Sequence, residues 1–412
     1  MEIGIRNFLA FLDLSENPIK IKNFRYFILG HFISFTGSWT YNTAIVWLVY
    51  ELTRSSFYLG IFSLFNSLPT FVFSFLAGLI IDRFDRKKLL TWVVFLGILP
   101  SVLLGFITQE GRLSFWLVVL INMLAVSLAS VDTPLRQVFI SEIVPSTYLT
   151  KAISFQALSF NTARMVGPFL AGLIITYGQL YQCFYFNALS YLPFLFFLLF
   201  FIKYQKSYQI DLENKKNFIE AFKEVFTLFR KQRALPAVIG MVFSFTFFGA
   251  SILILFPIIV DKLFGGGGKE FGQLSSMVGI GAILGSVYII LGKVKNKLSK
   301  LWVSTCIFAL GALGLVWSKI WWLALFCCLF LGFSFTNFYP IANSYLQENT
   351  PTEIRGRVMS FFTLSFLGVH PLGSFLAGVL AEKVGVGWLV SFYVLSLVLV
   401  NFFLLNIAKL KK

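Results

Sequence analysis

Asp132 and Arg136 stand four residues apart in an otherwise uncharged apolar run, so they share one face of any helix that forms there. Arg164, His31 and His370 are also set inside apolar runs. A charge held in such surroundings is costly unless it is paired or solvated, and groups of this kind carry proton relays and ion pathways. Other chemistries lack their residues. His31 and His370 are the only imidazoles, and Cys183, Cys306, Cys327 and Cys328 have no metal-type spacing. Buried free thiols are the simpler reading of the cysteines. No nucleophile, base and metal set converges, so neither an enzyme, a metal site nor a cofactor is expected. "GGGGKE" at 265–270 is a flexible loop and not a phosphate loop, because Glu270 follows its lysine. What remains is proton transfer and ion pairing inside an apolar body.

That body must lie in a membrane. Of 412 residues 58% are hydrophobic, only 13% are charged and 51 are Phe. So few polar groups cannot cover a soluble domain of this size. Twelve apolar segments fall at about 25–51, 56–81, 89–108, 113–143, 152–178, 181–203, 234–261, 271–292, 300–318, 321–348, 357–381 and 387–408. Each is long enough to cross a hydrocarbon core of about 30 Å as a helix. With the N-terminus in the cytosol, cytosolic segments hold 26 Lys and Arg and outer loops hold 6. This asymmetry puts both termini inside. It also accounts for the net charge of +16 without a nucleic-acid partner. Residues 1–24 read as a cytosolic lead-in and not a signal peptide, and 409–412 as a cytosolic tail. The polar stretch 204–233 separates six spans (25–203) from six more (234–408). Its second part places Phe218, Phe222, Val225, Phe226 and Phe229 on one helical face, as an amphipathic tether would.

The two sets of six are copies. With a shift of 206 residues and no gap, 134–172 and 340–378 share 13 of 39 residues, including Pro134/Pro340, Glu142/Glu348, Pro145/Pro351, Gly167/Gly373 and Gly172/Gly378. Apolar bias alone does not align Pro, Glu and Gly in one register. The expected fold is an all-α membrane protein of twelve helices in two pseudo-symmetric six-helix bundles, with a substrate site at the midplane between them. The glycines let helices approach closely. In this register Arg164 corresponds to His370, and Asp132 to Phe338.

These positions suggest how coupling would work. From the span boundaries, Asp132 lies about 11 and Arg164 about 12 residues from the cytosolic surface, or roughly 16–18 Å. An Asp132–Arg164 pair is expected, either as a coupling pair or as a fixed structural one. The second half lacks the acid, and His370 can be buried neutral where an arginine would stand unpaired. His370 also precedes Pro371 and is placed to satisfy the carbonyl that proline frees. His31, Ser34, Ser38, Tyr41 and Asn42 form a polar stripe on the first span, facing a cavity or a neighbouring helix. Phe243 and Phe247 on the seventh span, and Asn337, Tyr339 and Asn343 on the tenth, suit a bulky, partly apolar ligand.

"GLIIDRFDRKKLL" (78–90) resembles the cytosolic signature between the second and third spans of the major facilitator superfamily. "GSWTYNTAIVWLVYELT" (37–53), "DTPLRQVFISEIVP" (132–145), "NALSYL" (187–192) and "RGRVMS" (355–360) are similar to its bacterial branch of enterobactin exporters and macrolide efflux proteins. The resemblance runs from about residue 24 to the end and implies alternating access, export and proton drive. In the stretch 78–90 an acid at a helix end beside a basic cluster can hold neighbouring helix termini, so Gly78, Asp82, Arg83, Arg86 and Lys87 are read as a conformational latch. The reading is a monomeric secondary transporter of the bacterial cytoplasmic membrane. Its partners would be protons, the lipid bilayer and an amphipathic drug, macrolide or siderophore. A lipid or lysolipid flippase of the same fold is the alternative.

Overall fold

A computed structural model describes residues 18–202, 227–291 and 296–409. Twelve long helices follow one another: α1 (Lys22–Thr53), α2 (Ser56–Arg83), α3 (Arg86–Gln109), α4 (Phe115–Ile143), α5 (Ser146–Tyr177), α6 (Leu180–Phe201), α7 (Ala234–Phe264), α8 (Gly268–Leu291), α9 (Lys297–Trp317), α10 (Trp321–Glu348), α11 (Thr352–Val384) and α12 (Val386–Lys409). No strand occurs among the described residues. Eleven of the helices are long and apolar enough to cross a membrane. The other is α1, whose apolar run is interrupted by His31, Asn42 and a series of Ser and Thr. Large apolar side chains such as Trp92, Leu120, Phe200, Leu310, Trp388 and Phe403 are exposed around the outside, where a multi-pass protein meets lipid. Most of the expected tether at 204–233 lies outside the described residues; Phe229 packs its ring on Phe361 at 5.7 Å.

Helices join through short capped turns. Ser55, Asp85, Ser114 and Asn296 each accept a backbone N–H in the first turn of the following helix. The paired prolines of the repeat hold matching places: Pro145 and Pro351 immediately precede α5 and α11, and Pro134 and Pro340 lie inside α4 and α10.

The repeated glycines divide into two kinds of contact. Gly167 on α5 packs on α1, where a methyl group would stand 2.9 Å from Thr40 N and 3.0 Å from Thr36 O. Gly373 on α11 packs on α7 in the same way, 3.0 Å from Phe247 Cα. These contacts lie within the two bundles. Gly172 meets Gly272 of α8, and Gly378 meets Gly60 of α2, with backbone within about 3 Å of where a Cβ would stand. Those two contacts join the bundles. The sequence repeat is thus a packing repeat, and its offset of five residues separates internal from cross-bundle contacts.

Three spans are irregular: α6 ends in a π turn at Phe197–Phe201, and two others break in mid-course. α7 passes through a π turn at Phe245–Gly249 and a 3-10 stretch at Ala250–Leu255 before resuming at Phe256. α11 has a π turn at Leu364–Gly368 and resumes at His370, with Pro371 in its first turn. The breaks face each other: Ser251 Oγ donates to His370 O at 3.4 Å. Such local departures from α geometry concentrate at functional sites.

Candidate functional site

Between the bundles lies a cavity of about 440 Å³. Trp39, Val46, Phe62, Leu253, Phe256 and Phe271 give it apolar walls, and Asn42, Ser63, Asn66, Arg164, Ser275 and His370 supply its polar groups. α1 and α5 present Trp39 and Arg164, whose guanidinium lies 5.4 Å from the Trp39 ring centre. α11 presents His370, the repeat partner of Arg164, beside the backbone of Ala250 on α7. Residues matched in the sequence thus line one cavity from opposite bundles. A second cavity of about 760 Å³ adjoins it through Asn66 and His370. It runs between α2 and α11 past Thr70, Phe71 and Tyr339 to Met359 and Gly356, in the first turns of α11. The space therefore reaches the face on which α1 begins and α12 ends.

The opposite face is closed. Besides the two glycine contacts, Trp47 stacks on Phe271 at 5.7 Å. The Tyr50 hydroxyl donates to Asp261 at 2.5 Å, and Arg54 stands 3.7 Å from the same carboxylate. Glu382 of α11 accepts from Ser55 Oγ at 3.1 Å, Ser56 N at 3.0 Å and Ser56 Oγ at 2.9 Å. It thereby covers the amino end of α2 with a carboxylate, where the helix dipole favours one.

The expected Asp132–Arg164 pair does not form. Asp132 instead accepts from Arg136 Nε at 2.8 Å, one turn away. Arg136 also donates to Ser34 Oγ at 2.8 Å, and its guanidinium lies 4.3 Å from the Phe194 ring centre and 4.9 Å from that of Phe35. The reason is depth. α5 begins at Ser146 rather than 152, so Arg164 lies 18 residues into it, whereas Asp132 lies 11 residues from the end of α4. At about 1.5 Å per residue the two differ by roughly 10 Å along the bundle. Asp132 borders a separate small cavity of about 70 Å³ with Ser38, Tyr41, Asn42 and Tyr191.

The polar stripe of α1 turns mostly into its own bundle. His31 is buried, hydrogen-bonded to Ser159 at 3.1 Å and stacked on Phe35 at 4.5 Å. Ser38 bonds Tyr191 at 3.3 Å, and Tyr41 donates to Asn122 at 3.3 Å. Asn42 alone among these reaches the central cavity, and Ser34 is taken by Arg136. In the second bundle Tyr339 lines the larger cavity and bonds Thr246 at 3.0 Å. Asn337 is buried and donates to Phe333 O of its own helix at 2.7 Å, and Asn343 accepts from Gln347 at 2.5 Å. Phe243 and Phe247 stack together at 6.0 Å, outside the walls of both large cavities. His370 does not serve its own helix's freed carbonyl as expected; it turns to α7.

Of the expected latch, Gly78 and the Asp82 side chain lie outside the described residues. Arg86 pairs with Glu142 at the end of α4, and Lys87 Nζ donates to Ile202 O at 2.8 Å. Arg83 is exposed at the end of α2. The second bundle repeats the first of these pairings between Lys297 and Glu348. Asp261 and Glu382, which close the opposite face, lie outside the repeat and outside every motif, so nothing in the sequence marks them. The pairing role of Glu142 and Glu348 was signalled by their identity in the repeat.

Twelve helices in two matched bundles, with a polar-lined cavity between them, define a membrane transporter of the major facilitator class. The chain belongs to the transmembrane secretion effector family, whose match covers residues 15–412. It is similar to the staphyloferrin A transporter of Staphylococcus aureus, at 26% identity over 88% of this chain and 90% of that one. It is also similar to macrolide efflux protein A of Streptococcus pyogenes, at 23% identity over 87% and 89%. Among solved structures, the nucleoside transporter NupG shares the fold at 14% identity, with a TM-score of 0.74 over 94% of this chain and 100% of that one. A D-xylose–proton symporter does so at 16% identity and 0.70, over 93% and 97%.

Proposed function

We propose that the protein is a secondary active transporter that exports amphipathic small molecules by alternating access, in exchange for protons. The observation that carries this is the central cavity, sealed at one face by contacts between the bundles and continuous toward the other. The excess of Lys and Arg supports the unsealed face as the cytosolic one, so cargo would load from inside the cell. The protein would then sit in the bacterial cytoplasmic membrane with both termini cytosolic. It would act as a monomer, because one chain supplies both walls of the cavity. The halves at 25–203 and 234–408 would rock against each other, tethered through 204–233, with Asp82 and the bases beside it latching the cytosolic side. Relatives named for a siderophore and for macrolides support a small-molecule cargo.

For coupling, the pair to consider is Asp132 with Arg136. A proton on Asp132 would remove the charge that holds Arg136, and Arg136 is bonded to Ser34 on α1. The same helix carries Trp39 and Asn42 into the cavity. Protonation would therefore loosen the helix that forms the cavity wall. The test is uptake of a fluorescent dye or labelled macrolide by inverted vesicles containing the purified protein, under an imposed pH gradient. Accumulation that collapses with the gradient is expected. Uptake equal to that of protein-free vesicles for every compound tried would refute the reading.

A further inference from the structure

We infer that the central cavity is built for an amphipathic organic anion, with Arg164 as the group that binds its carboxylate or equivalent acidic head. This rests on the transport reading and narrows its cargo. Arg164 lies deep in a transmembrane helix, where an uncompensated cation is costly. The other deep arginine, Arg136, has a carboxylate, a hydroxyl and two aromatic faces around it. Arg164 has the face of Trp39 and the cavity. Neither large cavity has an Asp or Glu in its lining among the described residues, and Asp132, the acid that the sequence offers as its partner, is held by Arg136 in a separate pocket. A cation with no protein counter-charge in a ligand-sized space is a site waiting for an anion.

The rest of the lining fits the same ligand. His370 faces the cavity from the other bundle, and a neutral imidazole there donates or accepts without adding a fixed negative charge. Asn42 and Asn66 supply further polar contacts, and the aromatic and aliphatic walls supply an apolar berth for the remainder of the molecule.

The test uses three fluorescent probes with one apolar body: dansylaminoundecanoic acid, its methyl ester, and a dansylated diamine of matching length. Binding to the full-length protein in neutral dodecyl maltoside micelles is read by energy transfer from tryptophan, with protein-free micelles subtracted. The acid should bind roughly ten- to a hundredfold tighter than the ester, as expected for a hydrogen bond to a charged group, and the diamine should bind most weakly. Arg164→Gln should leave ester binding unchanged and reduce the acid to within about twofold of it. Arg164→Lys should keep part of the preference, because a point charge replaces a two-pronged donor. Trp39→Phe should lower the energy transfer without changing the order of affinities. Wild-type protein that binds ester or diamine as tightly as acid overturns the inference, as does Arg164→Gln that keeps the preference. Displacement of the acid probe by lysophosphatidylglycerol would identify the anion as a lipid; retention against it would identify a non-lipid amphiphile; both require the anion site. The inference is read from binding alone, so a protein that discriminates the probes but moves none of them into vesicles would refute the transport reading and leave the site standing.

Discussion

Arg136 is held from four directions: by Asp132 along its own helix, by Ser34 on α1, and by the faces of Phe35 and Phe194. Only 1% of its side chain is exposed, against 13% for Asp132. The acid is thus the member of the pair that a proton can reach, through the small cavity it borders. Neutralising it leaves a buried cation without counter-charge, a loss of about 3–5 kcal/mol for a fully buried pair and less where Asn keeps one acceptor. Asp132→Asn should therefore lower thermal stability in detergent, and adding Arg136→Gln should restore part of it. Both variants should lose transport driven by a pH gradient while binding a cavity probe within about twofold of wild type, because Arg164 is untouched. An Asp132→Asn protein that still transports in response to the gradient would make the pair structural and move the coupling group elsewhere.

At the scale of elements, the same ion pair occurs twice with different burial. Arg86 and Glu142 tie the start of α3 to the end of α4; Lys297 and Glu348 tie α9 to α10 in the same way. Glu142 is 4% exposed and Glu348 is 61% exposed. A carboxylate buried in its pair loses more when it is replaced than one that stays solvated, because exposed pairs contribute little. Glu142→Gln should cost a few kcal/mol in unfolding experiments, and Glu348→Gln should be indistinguishable from wild type; equal losses would refute the distinction. These glutamates were legible in the sequence because they fall in one gapless register with Pro145 and Pro351. The twelve spans were legible for a similar reason, since a nearly uncharged apolar run of membrane length is seldom anything but a span. Helix ends were not. α5 extends back to Ser146 through "STYLTK", polar residues that hydropathy assigns to a loop but that continue the helix beyond the apolar run. That one extra stretch shifted Arg164 in depth and gave Asp132 the wrong partner, although the four-residue spacing to Arg136 was in plain view. The breaks in α7 and α11 were equally hidden: Phe245–Gly249 and Leu364–Gly368 are ordinary apolar sequence, and only packing against the other helix reveals the π turns.

For the whole molecule, the repeated apolar phrase separates the machinery that holds each bundle together from the machinery that moves the bundles. Gly167 and Gly373 pack inside their bundles, against α1 and α7, and such contacts persist in any rigid-body motion of one bundle against the other. Gly172 and Gly378 pack across the closed face, against Gly272 and Gly60, and those contacts must separate if that face opens. Alanine at the first pair of sites meets backbone or tightly held side chains in every state. Gly167→Ala or Gly373→Ala should therefore lower thermal stability and transport together. Alanine at the second pair clashes only in the closed state and gains about 0.5–1 kcal/mol of helix preference in the open one. Gly172→Ala or Gly378→Ala should leave thermal stability near wild type and shift the population toward opening at that face. Spin labels at Tyr177 and Trp322, exposed on opposite bundles at the far ends of α5 and α10, report the change in a cysteine-free background. Their distance distribution should move to longer values for the cross-bundle variants and keep its wild-type position for the within-bundle ones. Should all four variants give one distribution and one loss of stability, the two kinds of glycine contact would have the same role, and the closed face would have to be held by Asp261 and Glu382 instead.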